Sequence, residues 1–195
     1  MEYTIRSFPT VYKGRQYRSR LEARWAAFFD LLGWNAEYEP FDLGSWSPDF
    51  LLSAGGVEIL VEIKPITSFD HAVAQKMNAA CMKNSNASFE GNLLLLGSAP
   101  RRHGKFVQLG WLGLSNSETL ETGWHPTPFW WAQSAERPVF MPDFLFVDPS
   151  GLGWSGHMTD DNGPGYPCSN NFYADETMRI WAQATNLVQW MAPKS

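Results

Sequence analysis

The chain has 195 residues, 44% of them hydrophobic, which is enough for one well-packed domain but too few to assume two full-sized ones. A formal charge of −5 disfavours a non-specific binder of nucleic acid, although local charge matters more than the sum. The sequence contains no apolar run near the ~20 residues that span a bilayer, and its start lacks the pattern of a secretory signal. We therefore expect a cytoplasmic protein with no membrane partner. The two cysteines, Cys81 and Cys168, suggest neither a disulfide framework nor a zinc site.

The amino-terminal segment predicts a small hairpin followed by an amphipathic helix. Lys13-Gly14 supplies the turn of the hairpin. Ser19 can cap the helix, Glu22 three residues later completes a capping box, and Gly33 ends the helix. Apolar residues at helical spacing form the core stripe, and these are Leu21, Trp25, Phe28, Phe29 and Leu32. The capping box alone gives a complete structural account of Glu22.

A strand over residues 34–41 and then a β-hairpin are predicted next. The second strand of the hairpin, residues 57–64, alternates with the period of two that is typical of a half-buried strand. One of its faces is apolar, and the other carries Glu58, Glu62 and Lys64. The strand is therefore expected to have a dry face and a charged face.

The register of this hairpin follows from the glycines at positions 55 and 56, which can form a two-residue loop. Phe50 then pairs with Val61, and Asp49 lies opposite Glu62, with Cβ atoms roughly 4.5–5.5 Å apart. A slip of two residues would keep both faces and only offset the two acids, whereas a slip of one would mix apolar and charged side chains on both faces. The pattern thus predicts two neighbouring carboxylates on the charged face.

Neighbouring carboxylates repel each other unless a shared proton, a cationic side chain or a metal ion lies between them. Lys64 shares a face with Glu62, but one lysine leaves an excess of negative charge beside Asp49 and Glu58. Hard oxygen ligands suit Mg²⁺ or Mn²⁺. Such an ion can polarise a phosphoryl oxygen and lower the pKa of bound water, while the lysine positions that water or stabilises developing charge. This is the chemistry of phosphodiester hydrolysis.

Further elements follow the hairpin. Pro65 ends its second strand, and residues 68–82 are predicted to form a helix with Asp70 near its positive end. The apolar stretch 92–98 predicts a buried strand. The chain closes with a helix in residues 174–190, whose apolar positions at helical spacing should pack on the core.

The segment after residue 107 is rich in Gly, Pro and Trp, which predicts turns and irregular structure. We therefore divide the chain into a core over residues 1–107 and an elaboration over residues 108–195 that packs on the same domain. A second Pro-Asp-Phe occurs at residues 142–144, but no Glu-x-Lys follows it, so Asp143 and Asp148 are assigned structural roles.

Pro48-Asp49, twelve further residues and Glu62-Ile63-Lys64 resemble the motif of the PD-(D/E)XK nucleases, the restriction-endonuclease-like superfamily. The preceding stretch "YRSRLEARWAAFFDLLGWNAEYEP" is similar to the first helix and following strand of small phage-type members. The resemblance covers roughly residues 10–100. It implies an α/β fold with a restriction-endonuclease-like core, in which helices flank a central mixed sheet in the order α-β-β-β-α-β.

The resemblance also implies an activity, that of a divalent-metal-dependent deoxyribonuclease, most simply an endonuclease. Asp49 and Glu62 would hold Mg²⁺ or Mn²⁺, the backbone carbonyl of Ile63 would add a ligand, and Lys64 would act on the attacking water. Glu22 is the acidic residue on the first core helix and would assist the metal directly or through water. The sequence supports the two roles of Glu22, capping the helix and assisting the metal, equally. A phage-encoded member would act in the cytoplasm of a bacterial host.

Two basic clusters are candidates for contacts with the DNA partner, and solvated surface charge is the equal alternative for each. They consist of Lys13, Arg15, Arg18, Arg20 and Arg24 near the amino terminus, and Arg101, Arg102, His103 and Lys105 after the strand over residues 92–98. Gln75 and Lys76 lie where some relatives direct a polar residue to the active site, but a solvent-facing role is favoured for both.

Two other functions remain open. The first is a catalytically silent protein of the same fold that binds nucleic acid or a host protein, as an accessory or counter-defence factor, and net acidity and the carboxyl-terminal half favour it. The second is a structural role in which the charges form a salt-bridged sheet face. A homodimer is compatible with each function.

Overall fold

The computed structural model describes residues 7–54, 57–83, 92–103, 106–114, 124–129 and 174–188. These residues form a two-stranded hairpin, a six-stranded sheet and three helices. The hairpin strands are β1 (Thr10–Tyr12) and β2 (Arg15–Tyr17). The sheet contains β3 (Asn35–Tyr38), β4 (Phe50–Ala54), β5 (Val57–Ile63), β6 (Asn92–His103), β7 (Phe106–Leu114) and β8 (Trp124–Phe129). The helices are α1 (Arg20–Leu32), α2 (His71–Lys83) and α3 (Ala174–Leu187).

The sheet has the strand order β3-β4-β5-β6-β7-β8. Only the pairing of β5 with β6 is parallel within it, and α2 lies in the connection between these two strands. All other neighbours in the sheet are antiparallel, so the sheet is mixed. The elements from α1 to β6 follow each other as α-β-β-β-α-β, and the predicted α/β class and order of elements are therefore confirmed.

The predicted hairpin register is also confirmed. Phe50 pairs with Val61, and the ladder continues to Ala54 and Val57, which flank the two loop positions that lie outside the described residues. At the other end, the backbone N–H of Asp49 donates to the carbonyl of Val61 at 2.9 Å. The regular ladder therefore ends at Phe50–Val61, and Asp49 bonds beside this pair instead of forming the predicted pair with Glu62.

Ser19 caps α1 as predicted, while the side chain of Glu22 reaches back to the hydroxyl of Ser19 and to the backbone N–H of Arg18. Ser19 has extended backbone angles, and its side chain accepts a hydrogen bond from the backbone N–H of Glu22 at 3.1 Å. Gly33 ends the helix with φ 71°, in the left-handed region that glycine adopts without strain. The turn of the small hairpin has the same requirement, since Lys13 and Gly14 both have positive φ, 46° and 78°.

The sheet is covered on both faces, and this corrects the prediction that β5 is half-buried. Its apolar face joins a core that includes residues of α1 and α3. Leu60 on the opposite face is fully buried in a second core that includes Ala74 and Met77 of α2. A helix that connects two parallel strands must cross one face of their sheet, and α2 covers the part of this face at Leu60, while Glu58 on the same face is exposed. Glu62 itself is only 5% exposed.

The expectation of irregular structure after residue 107 is wrong for the described part, where β7 and β8 extend the sheet. The predicted boundary at residues 107–108 lies within β7. Gly110 is required by close strand approach, because a Cβ there would lie 2.2 Å from the carbonyl oxygen of Leu95. Pro126 and Pro128 belong to β8 at the end of the described sheet, where a missing N–H is tolerated. Asp143, Asp148 and the second Pro-Asp-Phe lie outside the described residues.

Strand β6 differs in detail from its prediction. β6 continues to His103, past a register shift between Leu96 and Arg101, so the second basic cluster begins on the strand and not after it. The terminal helix α3 packs its tryptophan, Trp181, against Trp25 of α1 with ring centroids 4.7 Å apart. Among the described residues, none of the helices combines the length and apolar character needed to cross a membrane.

Candidate active site

A cleft of about 470 Å³ lies where β4 begins and β5 ends. The four residues expected to carry the chemistry all line it, and so do two further cations; the six residues are Arg18, Glu22, Asp49, Glu62, Lys64 and Lys76. Asp49 comes from the start of β4, Glu62 and Lys64 from the end of β5, and Glu22 from the first turn of α1. The structure thus brings the predicted residues together.

Asp49 is buried, with 4% exposure, and both of its oxygens accept hydrogen bonds. Oδ2 accepts from the backbone N–H of Ile63 at 2.7 Å. Oδ1 accepts from Nη2 of Arg18 at 3.0 Å. One bond fixes the carboxylate to the neighbouring strand, and the other supplies a positive charge from outside the sheet.

Glu62 is buried to a similar extent and is held by two donors. Its Oε2 accepts from the indole Nε1 of Trp46 at 2.7 Å, and its Oε1 pairs with Nζ of Lys64. Trp46 was not singled out from the sequence, because it lies in the irregular segment before β4. The sequence offers one indication of its role: tryptophan is usually buried, and its indole N–H then needs an acceptor, which the nearby acids of the motif can provide.

The two carboxylates influence each other through the buried environment. Burial, followed by the negative charge of Glu62, raises the pKa of Asp49 to about 7, against the opposing effects of the Ile63 N–H and of Lys64. Burial lowers the pKa of Lys64, but the attraction of Glu62 outweighs it, and the net pKa of Lys64 is raised. Lys64 therefore stays protonated at neutral pH, while Asp49 has an unusually high affinity for a proton.

Arg18 bridges two carboxylates on different elements. Besides Asp49, it contacts Oε1 of Glu39 through Nε at 2.7 Å. Glu39 follows β3 with φ 48°, an uncommon value for a residue other than glycine. Its backbone N–H donates to the carbonyl of Asp49 at 3.0 Å, which holds this conformation. Strained backbone of this kind is frequently found at functional sites.

Glu22 is occupied by its local network. Oε1 accepts from the hydroxyl of Ser19 at 2.7 Å, and Oε2 accepts from the hydroxyl of Tyr38 at 2.6 Å and from the backbone N–H of Arg18 at 3.2 Å. Burial and the bond to Glu22 raise the pKa of Tyr38, which keeps its hydroxyl a donor. The predicted capping role is confirmed, and the metal role of Glu22 stays a prediction.

The basic residues named from the sequence have different surroundings. Lys13 is paired with Asp30 at 2.6 Å, and Arg15 is exposed on β2. Arg101 donates to the carbonyl of Thr67. The side chain of Arg102 and the whole of Lys105 lie outside the described residues.

The donor set bears on the predicted Mg²⁺ or Mn²⁺. No group of three or more His, Cys, Asp or Glu side chains suited to a metal ion occurs in the described part of the chain. Asp49 and Glu62 supply two hard carboxylates, and Mg²⁺ is commonly bound by one or two carboxylates together with water and substrate phosphate. The residues present therefore fit such an ion, with the carbonyl of Ile63 as the predicted backbone ligand.

Comparison of the chain with protein-family models, with curated proteins and with solved structures finds no match. The function is therefore inferred from the residues of the cleft and their geometry.

Proposed function

We propose that this protein is a divalent-metal-dependent nuclease that hydrolyses phosphodiester bonds in DNA. One observation carries the proposal: the buried carboxylates of Asp49 and Glu62 and the ammonium of Lys64 line one open cleft. Burying two acids side by side destabilises the fold, and their retention in a cleft is typical of a site whose ligand is cationic.

A bound divalent ion would supply electrophilic activation of the phosphoryl oxygen and a water of lowered pKa. Asp49 and Glu62 would hold the ion, with the Ile63 carbonyl as a further ligand. Lys64, which Glu62 orients, would donate hydrogen bonds to the attacking water or to the charge that develops on the phosphate. Trp46 and the Ile63 N–H keep the two carboxylates in place.

The order of elements supports a restriction-endonuclease-like core of the PD-(D/E)XK type. In this assignment the motif Pro48-Asp49 opens β4 and Glu62-Ile63-Lys64 closes β5, so that both acids lie at one end of a hairpin whose register is regular. Glu22 would contribute from α1 through its network with Arg18 and Tyr38.

The test is cleavage by the purified protein of single-stranded, duplex and branched DNA, with Mg²⁺, with Mn²⁺ or with a chelator. We expect cleavage that requires the divalent ion, is abolished by Asp49→Asn and Glu62→Gln, and is unaffected by Asp42→Asn, a change in an exposed acid of the same cleft wall. Absence of ion-dependent cleavage on every substrate would overturn the proposal.

A non-cleaving binding protein of the same fold is the second candidate, and one observation favours it. Each carboxylate already has a cationic partner, Arg18 for Asp49 and Lys64 for Glu62, so the pair is compensated without metal. This function predicts DNA or protein binding that is insensitive to chelator and accompanied by no cleavage.

A further inference from the structure

A second cavity of about 590 Å³ adjoins the cleft at the amino-terminal end of α1. The two share Ser7, Glu22 and Lys64 in their walls, so they are neighbours on either side of these residues. The second cavity also contains two arginines of α1, Arg20 and Arg24. Lys64, at the junction, faces both spaces.

Arg20 and Arg24 are four residues apart on one helix, which places them on the same face. Neither forms an ion pair with a carboxylate in the described part of the chain, whereas Lys13, Arg18 and Lys64 all do. Nε of Arg24 is buried and has no hydrogen-bond partner among the described residues. Within the described part of the chain, Arg20 and Arg24 thus line the cavity without an ion-pair partner, and the carboxylate of Glu22, which shares the cavity wall, accepts its hydrogen bonds from other groups.

This arrangement costs stability. Burial, and then the charge of Arg20, lower the pKa of Arg24. The surroundings of Arg24 in the folded protein therefore destabilise its protonated guanidinium relative to water. Like charges four residues apart also destabilise a helix. The chain has 20 acidic and 15 basic residues, so partners for both arginines were available in its composition. Local features that oppose stability are expected where a ligand binds.

We propose that Arg20 and Arg24 form a phosphate subsite that binds the phosphate group of the substrate strand adjacent to the phosphate that is cleaved. The assignment rests on the proposed function. A guanidinium presents several N–H donors in a planar fork that matches phosphate oxygens, and two of them around one cavity suit a single anion. The junction at Lys64 puts this anion next to the carboxylate pair. The group bound is either an internal phosphodiester or a terminal phosphate of the strand.

The first measurement is binding of a fluorescent single-stranded oligonucleotide in chelator, followed by anisotropy over a range of salt. We expect the double substitution Arg20→Gln/Arg24→Gln to weaken binding by about tenfold or more and to lower the slope of log K against log salt by about 0.7 for each lost contact. Arg179→Gln removes the same charge from an exposed position on α3, outside both basic clusters, and should change affinity less than about twofold.

The second measurement identifies the phosphate. Neutral methylphosphonates are placed one at a time along the oligonucleotide, and 5′- and 3′-phosphorylated ends are compared with hydroxyl ends. The parent protein should bind more weakly when the methylphosphonate is at one particular position of the oligonucleotide. The affinity of the double variant should not change when the same position is substituted, as expected for a coupled pair. Sensitivity within the strand identifies a phosphodiester, and sensitivity at an end identifies a terminal phosphate.

The thermal midpoint of the DNA-free protein separates this role from a structural one. Arg24→Gln should leave the midpoint unchanged or raise it, because it removes a partly buried charge that has no ion-pair partner among the described residues. A lowered midpoint together with parental DNA affinity and salt slope would overturn the subsite. If the parent cuts DNA while the double variant binds and responds to methylphosphonates as the parent does, the phosphate subsite is rejected and the proposed nuclease function is retained. If the parent neither binds nor cuts, the proposed function is rejected as well.

Discussion

Nη2 of Arg18 lies 3.0 Å from Oδ1 of Asp49, while the other oxygen of the same carboxylate is bound to the backbone of β5. Oδ1 is therefore the oxygen that points away from the sheet, and a guanidinium already occupies its surroundings. A divalent ion that approaches Asp49 meets this positive charge. Under the proposed function, Arg18 and the ion would compete for one carboxylate, and Arg18 would lower the affinity of the site for the metal.

Replacement of Arg18 by Met should raise the affinity for Mn²⁺ about tenfold, because a cation next to the binding oxygen is removed. Calorimetric titration at pH 8 measures this without reference to activity. Arg15→Met, on the neighbouring hairpin strand, is the control for loss of one charge. Weaker Mn²⁺ binding by the Arg18 variant would contradict the competition.

Glu22→Gln tests whether the carboxylate charge is needed beyond the cap. The amide oxygen can accept from Tyr38 and from the N–H of Arg18, and the amide nitrogen can donate to Ser19, so the bonds seen in the structure have counterparts. We expect a loss of less than about 1 kcal/mol in unfolding free energy and Mn²⁺ affinity within about threefold of the parent. A tenfold loss of Mn²⁺ affinity at unchanged stability would instead assign the charge to the metal.

Trp46→Phe removes the N–H that binds Glu62 and keeps an aromatic ring in its place. The buried carboxylate loses a charge-assisted bond, and we expect the free energy of unfolding to fall by about 1.5–3 kcal/mol in urea titrations. In the background of Glu62→Gln the same substitution should cost clearly less, since the acceptor is neutral. Equal costs in both backgrounds would show that Trp46 acts through packing alone.

The sequence was sufficient for features that depend on local patterning. The alternation of residues 57–64, the capping box at Ser19 and the positive φ at Gly33 each follow from the conformation that their own residues favour. The grouping of Asp49 with Glu62 followed because hairpin register is fixed by loop length and face. These features brought the predicted cleft residues together.

Features that depend on contacts distant in sequence were not predictable in this way. The burial of Leu60 depends on α2 packing over its face of the sheet, and the pairing of Arg18 with Asp49 joins residues 31 positions apart. Gly110 lies in the segment whose Gly, Pro and Trp content predicted turns, whereas in the structure it permits β7 to approach Leu95 on β6. The sequence shows that a glycine is present, but it does not show which neighbouring strand lies close to that glycine.

Lys64→Met separates chemistry from binding. The substitution keeps most of the apolar stem and removes the ammonium that Glu62 orients. We expect single-turnover cleavage to slow by at least ~10²-fold, equivalent to about 2.7 kcal/mol of transition-state stabilisation, while DNA affinity changes little. Lys76→Met, an exposed lysine of the same cleft, should slow cleavage by less than about tenfold. A Lys64 variant that cuts at the parental rate would remove this residue from the mechanism.

The pH dependence of stability should reveal the raised pKa of Asp49. Because this pKa is about 7 in the native protein and 3.8 as its ordinary value, the native state keeps a proton that the unfolded state releases between these limits. The contribution of Asp49 to stability is thus fully present below pH 3.8 and is lost as the pH rises through about 7. Asp49→Asn cannot ionise, and its carbonyl can still accept from the N–H of Ile63.

In chelator, the thermal midpoint of Asp49→Asn should therefore rise relative to the parent by at least about 5 °C between pH 5 and pH 8. Mn²⁺ competes with the proton for Asp49, so the midpoint increase that it produces in the parent should be larger at pH 8 than at pH 5.5. The variant should show little increase at either pH, because a neutral amide replaces the carboxylate. Parallel pH profiles of parent and variant in chelator would mean that Asp49 is charged throughout this range. Arg18 and the Ile63 N–H would then outweigh burial and the charge of Glu62.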